Sequence, residues 1–261
     1  MYKLDEFMAV VEEYAPLWLS QRAISDGDYD NSGIIVKSHD NVNKVLFSLD
    51  LSKNAVDEAE KTGADTIVTH HPAIYNPIKN LSFDKDTAPL LRAIKLGLNV
   101  ISMHLNLDMA NSGVDYYLAK ALGAKDSKIL FKLSDCDYGY GREFEVSATV
   151  DELKSTAKRV LGSDKIISYG KVKAKKVASF CGGGGSHALD ALEKGLTDAD
   201  VYVTSDVAHH VLKEIVERDK GIIIIPHYVS EQYGFKKFYE WAAEKTAENL
   251  STYYFEDKRF M

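Results

Sequence analysis

Residues 66–75 read TIVTHHPAIY, a short β-branched run that stops at two adjacent histidines and a proline. Thr, Ile and Val pack well on a pleated surface, and proline does not continue a central ladder, so the run predicts a buried strand that ends at His70. The same grammar continues on both sides. KVLFSLD (44–50) reads as a strand and SKNAVDEAEKTG (52–63) as the helix after it, closed by Gly63. Downstream, APLLRAIKLG (88–97) is helical, LNVISMH (98–104) is a strand, and SGVDYYLAKALG (112–123) is a helix with Ser112 as its N-cap. This alternation predicts an α/β fold.

Near residue 125 the texture changes. SDCDYGYGREFEVSATV (134–150) is rich in Gly and Tyr and moves into alternating strand character. The helix DELKSTAKRVLG follows, then the strand pair KIISYGKV and KKVASFCGG. The last third returns to βα alternation through HALDALEKG, DVYVTS, VAHHVLKEIVERD, GIIIIPH and the amphipathic SEQYGFKKFYEWAAEKTAEN. The chain therefore reads as two α/β lobes with mixed sheets. Residues 1–125 form the first, to which 226–261 returns, and 126–225 form the second.

The 261 residues are 45% hydrophobic and 27% charged, enough for one large or two modest globular cores. A net charge of −7 argues against nonspecific binding to nucleic acid or an anionic membrane surface. No run approaches the roughly 18–20 apolar residues of a bilayer span. The opening MYKLDEFMAVVEEY reads as an amphipathic helix, not a secretory signal. Cys136 and Cys181 build neither a CxxC motif nor a disulfide framework, so a reducing, cytoplasmic setting is expected.

The placement of the eight histidines is the most informative feature. His70 and His71 end one strand, His104 ends another with Asp108 four residues on, and His227 ends a third with Glu231 four residues on. His209 and His210 follow DVYVTS and Asp206, while only His39 and His187 lie outside the pattern. In open α/β sheets, ligands bind beyond the carboxyl ends of strands. The i,i+4 pairs share a face wherever the chain turns helical. A single strand-end histidine is ordinarily a hydrogen-bonded or surface residue, but repetition after successive strands points to a metal. Imidazole and carboxylate donors without thiolate suit Zn, Fe(II) or Mn, and two carboxylates suffice for two ions.

SFCGGGGSHAL (179–189) follows a strand and opens a helix. Gly183, Gly184 and Gly185 there fit either close approach to an anionic ligand such as phosphate or a tight turn packed on neighbouring backbone. Neither GxGxxG nor the P-loop spacing is present. DYDNSG (28–33) is turn-rich and fits either a site lined by Asp30 and Asn31 or, favoured on local chemistry, a plain surface turn, while YGYGRE (138–143) sets Arg142 to meet an anion or a carboxylate.

In order along the chain, DNSG, VTHHP, HLNLDMANSGV, GYGR, CGGGGS, ADVYVTSDVAHH and HYVSE resemble the NGG-one interacting factor three-like family over nearly the full length. Its bacterial members are commonly called GTP cyclohydrolase type-two homologues. The resemblance implies two α/β lobes around an inter-lobe di-metal site, assembled into a toroidal homohexamer. It makes His70, His71, Asp108, His227 and Glu231 the ligands, with Glu231 bridging and His104 beside them. Family members often carry Trp-Asp before the asparagine, where this chain has Tyr29 and Asp30. The segment before it, WLSQRAISDGD, also departs from the usual form, and the chain lacks room for the domain some relatives insert between the lobes.

Two functions compete. One is a metal-dependent hydrolase of a nucleotide or related phosphate compound, with His104 or the Asp206, His209 and His210 group moving protons. The other is a non-catalytic metal carrier, sensor or ring-shaped scaffold. A ring that clamps nucleic acid gets little help from the acidic balance.

Overall fold

The computed structural model describes residues 2–261. The chain forms two compact units. The first runs up to Ala110 and includes Phe235–Asp257; the second is Asn111–Gly234 with Lys258–Met261. Both are α/β units on mixed sheets.

The sheet of the first unit has the strand order Ser251–Phe255, Lys44–Ser48, Thr66–Thr69, Asn99–Ser102, Gly33–Val36. Only the last of these pairs is antiparallel. Thr66–Thr69 and Asn99–Ser102 are buried at every position, as parallel strands covered on both faces must be. Helix Lys53–Thr62 is started by the Ser52 hydroxyl, which accepts from Ala55 N, and stopped by Gly63 at φ +68. That is the left-handed conformation a side chain resists. With helix Ala88–Lys95 it encloses a core that includes Leu46, Val56, Ala59, Ile67, Ala93 and Val100.

The register decides where the site lies. Ser48 pairs with Thr69 and Thr69 with Ser102, so three parallel strands finish abreast. The residues that follow them, Asp50, His70 with His71, and His104, leave the sheet along one edge.

In the second unit the order is Lys128–Lys132, Gly139–Thr149, Lys173–Ser179, Val201–Thr204, Gly221–Ile224, Ile167–Tyr169. Parallel pairing joins only Lys173–Ser179, Val201–Thr204 and Gly221–Ile224. Ile167–Tyr169 and Lys173–Ser179 are neighbours in sequence but not in the sheet, where two strands separate them. Phe180, Tyr202, Ile215 and Ile222 belong to the core. Helix Val150–Leu161 carries a capping box between Thr149 and Glu152 and ends at Gly162, φ +71.

Three element boundaries differ from expectation. The helix expected from Ser112 runs Val114–Ala121, with Gly113 at the cap position and no side-chain cap bond. At this start a Cβ on Gly234 would lie 2.6 Å from Val114 Cα, so two backbones meet there. The helix expected from Ser230 begins at His227 and runs His227–Thr246. Strand Ser251–Phe255, unremarkable in sequence, exists through its pairing with Lys44–Ser48. Among the described residues, no helix is long and apolar enough to cross a membrane.

Candidate metal centre

The strand ends carry four histidines whose rings are all held in the same way. In the first unit the backbone N–H groups of His70 and His71 both donate to Leu49 O, which fixes the turn after strand Thr66–Thr69. His70 is fully buried. Its Nδ1 donates to Met103 O at 2.8 Å, His71 Nδ1 to Asp50 Oδ1 at 2.7 Å, and His104 Nδ1 to Asp30 Oδ1 at 2.7 Å. Carbonyl and carboxylate oxygens only accept, so Nδ1 carries the proton and Nε2 carries the lone pair.

His104 precedes the short helix Leu105–Met109, and Asp108 N donates to His104 O. The turn returns the Asp108 carboxylate to within 3.4 Å of His70 Nε2. His70, His104 and Asp108 each offer a ligand atom within 4.8 Å of the others, a group that can hold a metal ion.

Asp30 is the anchor of this half. Its side chain is fully buried and accepts from His104, from Ser20 Oγ and, at 2.6 Å, from Ser32 Oγ. Burial pushes the carboxyl up; the bonds from His104, Ser20 and Ser32 outweigh it and hold it below the ordinary 3.8. A depressed folded-state value contributes stability above the unfolded value, and that contribution is lost as pH falls through the folded one. Asp30→Asn is accordingly expected to cost about 1–3 kcal/mol at pH 7. The deficit should shrink below about pH 4, as read by urea unfolding across that range; a constant deficit would contradict the assignment.

The neighbouring loop is tied down as well. Tyr29 Oη donates to Tyr75 O at 2.5 Å and Asn31 Nδ2 to Ile74 O at 2.6 Å, while the Tyr75 ring stands edge-on to His104 at 6.0 Å.

In the second unit His227 opens helix His227–Thr246, and its Nδ1 donates to Asp206 Oδ2 at 2.6 Å. Asp206 follows strand Val201–Thr204 at φ +50, a left-handed turn that aspartate tolerates better than most residues. One helical turn on, Glu231 is 2% exposed and its Oε1 lies 3.1 Å from His227 Nε2. A lone pair and a carboxylate oxygen face each other at that distance only when a cation, proton or metal, lies between them. Gly182 fits the same requirement. Its backbone has φ +53, and a Cβ there would run into Glu231 Oε1 and come within 3.3 Å of His227 Nε2. Glycine keeps the space in front of both atoms clear. Its N–H donates to Ser230 Oγ, whose hydroxyl donates to His227 O.

All four histidines thus show the arrangement metal ligands ordinarily have, with Nδ1–H spent on a carbonyl or carboxylate and Nε2 presented. The chain belongs to the Duf34/NIF3 (NGG1p interacting factor 3) family. The family model matches residues 2–258. The chain is similar to a GTP cyclohydrolase 1 type 2 homolog of Clostridium perfringens, 29% identical over 236 residues that cover 88% of this chain and 87% of the relative. It is also similar to NGG1-interacting factor 3 of Saccharomyces cerevisiae, at 26% identity over 258 residues, 88% of this chain and 86% of the relative. Among solved structures, a Bacillus cereus protein related to NIF3 shares the fold with a TM-score of 0.85 at 20% identity, covering 98% of this chain and 97% of that one.

Other residues named from the sequence fall differently on this Duf34/NIF3 fold. His209 and His210 are exposed on the first turn of helix His209–Glu217. Gly183 is exposed, and its nearest neighbour for a Cβ is the Asp206 carboxylate at 3.9 Å. Gly184 and Gly185 are buried: a Cβ on Gly184 would meet Tyr140 Oη and Thr204 Oγ1, and one on Gly185 would lie 2.7 Å from Asp206 O. Both glycines pack against the chain itself, Gly184 most closely against Phe180 Cβ. Asp50, which orients His71, was not singled out from sequence, although it too follows a strand end.

Proposed function

We propose that His70, His71, Asp108, His227 and Glu231 would hold two divalent ions, Zn, Fe or Mn. On this reading the protein is a metal-dependent hydrolase of a nucleotide or related phosphate compound. The observation that carries the metal reading is the shared pairing of four imidazoles through Nδ1. The substrate class rests on family likeness, since a Clostridium perfringens relative bears the name GTP cyclohydrolase 1 type 2 homolog.

Bound divalent ions supply Lewis acidity and a hydroxide at neutral pH. The remaining work falls to the chain's own groups. Asp30 holds His104 in the tautomer whose Nε2 accepts, so His104 takes up a proton at Nε2 and returns it to a leaving group. Asp206 fixes His227 in the same tautomer and raises its basicity as a ligand. Tyr75, edge-on to His104, walls one side. The reading includes cytoplasmic assembly as a homohexamer.

A carrier, sensor or scaffold is the second reading, favoured by the yeast relative's name, NGG1-interacting factor 3. One experiment separates the two. Untagged protein is analysed for metal, then assayed against GTP and a nucleotide panel with and without chelator. About two equivalents per chain, lost in His70→Ala and Glu231→Ala, and turnover abolished by chelator are expected. Metal without turnover selects the carrier; full metal content in both folded variants rejects the ligand assignment.

A further inference from the structure

The stretch KDSKILFK (125–132) ends in the strand Lys128–Lys132, the edge of the second unit's sheet. Lysines on an edge strand ordinarily keep it from pairing with another chain, and for that purpose they point into open water. These do not. Lys125, Lys128 and Lys132 line a cavity of about 400 Å³ together with Tyr116, Asp126 and Arg142. Four cations and one carboxylate line it, with Asp137 and Asp115 paired to Lys132 and Arg142 from outside the lining, so the wall is positive in a chain whose net charge is −7.

Local pairing leaves most of that charge in place. Lys132 Nζ lies 2.7 Å from Asp137 Oδ1, but the Asp137 side chain is 91% exposed, so water screens the pair. Neither Lys125 nor Lys128 has an acidic partner among the described residues. Lys120 adds a further cation at the rim: its Nζ donates to Lys125 O and sits 5.7 Å over the Tyr116 ring. At the buried end, Arg142 is 4% exposed and its Nε lies 3.4 Å from Asp115 Oδ2, which fixes the guanidinium in position.

Like charges converge in a concavity at a cost in repulsion, and an anion removes it. The volume lies within the range of small-molecule sites. We propose that this cavity binds the phosphoryl group of a small phosphorylated molecule, with Lys125, Lys128 and Lys132 as its cationic wall and Arg142 as its fixed end.

The test is calorimetric titration of the full chain with inorganic phosphate, pyrophosphate and ADP at low and at physiological ionic strength. At least one probe is expected to bind with a Kd below about 1 mM, weakening as salt rises. Tighter binding of ADP than of phosphate identifies an ester as the ligand, the reverse the free ion. Lys125→Glu/Lys128→Glu is expected to weaken binding about tenfold or more. Lys171→Glu/Lys173→Glu, exposed lysines outside the cavity with the same change in net charge, should leave it unchanged. Absence of binding by all three probes overturns the proposal. So does binding that survives in the Lys125→Glu/Lys128→Glu variant, because the ligand then sits elsewhere, the proposed metal centre included.

Discussion

Gly182→Ala is expected to strip metal from the protein while leaving every ligand residue in place. The new methyl would occupy the position of Glu231 Oε1 and crowd His227 Nε2, so the carboxylate must swing away from the imidazole it faces. The backbone at φ +53 adds about 1–2 kcal/mol of left-handed strain. Metal content should fall from about two equivalents to about one or fewer. Gly183→Ala is the internal control, since its methyl would meet only Asp206 Oδ2 at an ordinary 3.9 Å. Elemental analysis of both variants decides the matter. If Gly182→Ala retains a full complement, Glu231 is not a ligand.

Asp115→Ala should be the most destabilising single change in the second unit. Asp115 is fully buried on helix Val114–Ala121, where Oδ1 accepts from Cys181 N at 3.2 Å and Oδ2 faces the Arg142 guanidinium. Truncation leaves a buried guanidinium without its counter-charge, for which about 3–5 kcal/mol is the usual cost. On thermal unfolding that is a fall of roughly 10 °C in Tm. Replacing both partners with apolar residues of similar volume, Asp115→Leu/Arg142→Met, should recover most of the loss, because the expensive state is one buried charge alone. A loss below about 1 kcal/mol in the single variant would show that the pair is solvated.

The pair also shows what the sequence made legible and what it hid. Arg142 stands out in YGYGRE, and either an anion or a carboxylate was a fair expectation for it. Its partner lies 27 positions earlier on another element, and only folding brings the two together. Helix Lys53–Thr62 was readable in full because its start and stop signals, Ser52 and Gly63, are local. The strand-end histidines were readable for a similar reason: strand ends show in sequence, and register then brings Ser48, Thr69 and Ser102 abreast.

The carboxylates that orient those histidines were harder to see. Asp206 was visible because it sits in the same strand-end motif as His209 and His210. Asp30 lies in a turn-rich stretch that on local chemistry reads as surface, yet its side chain is fully buried under Ser20, Ser32 and His104. Asp50 gave no periodic signal, and its function appears only once His71 stands beside it. Strand Ser251–Phe255 is similar: its half-buried tyrosines become a strand only through a partner some 200 residues away.

That distance has a consequence during synthesis. The strand Lys44–Ser48 leaves the ribosome early, with Thr66–Thr69 soon available on one side and nothing to pair with on the other. At about 5–20 residues per second, the segment that covers its open side emerges about 10–40 s later. Throughout that interval the nascent chain presents an unpaired parallel edge, with Val45, Leu46 and Phe47 in the strand behind it. The whole of Asn111–Gly234 has been made before the first sheet can close. The stretch of translation most exposed to misassembly is therefore written into the strand order.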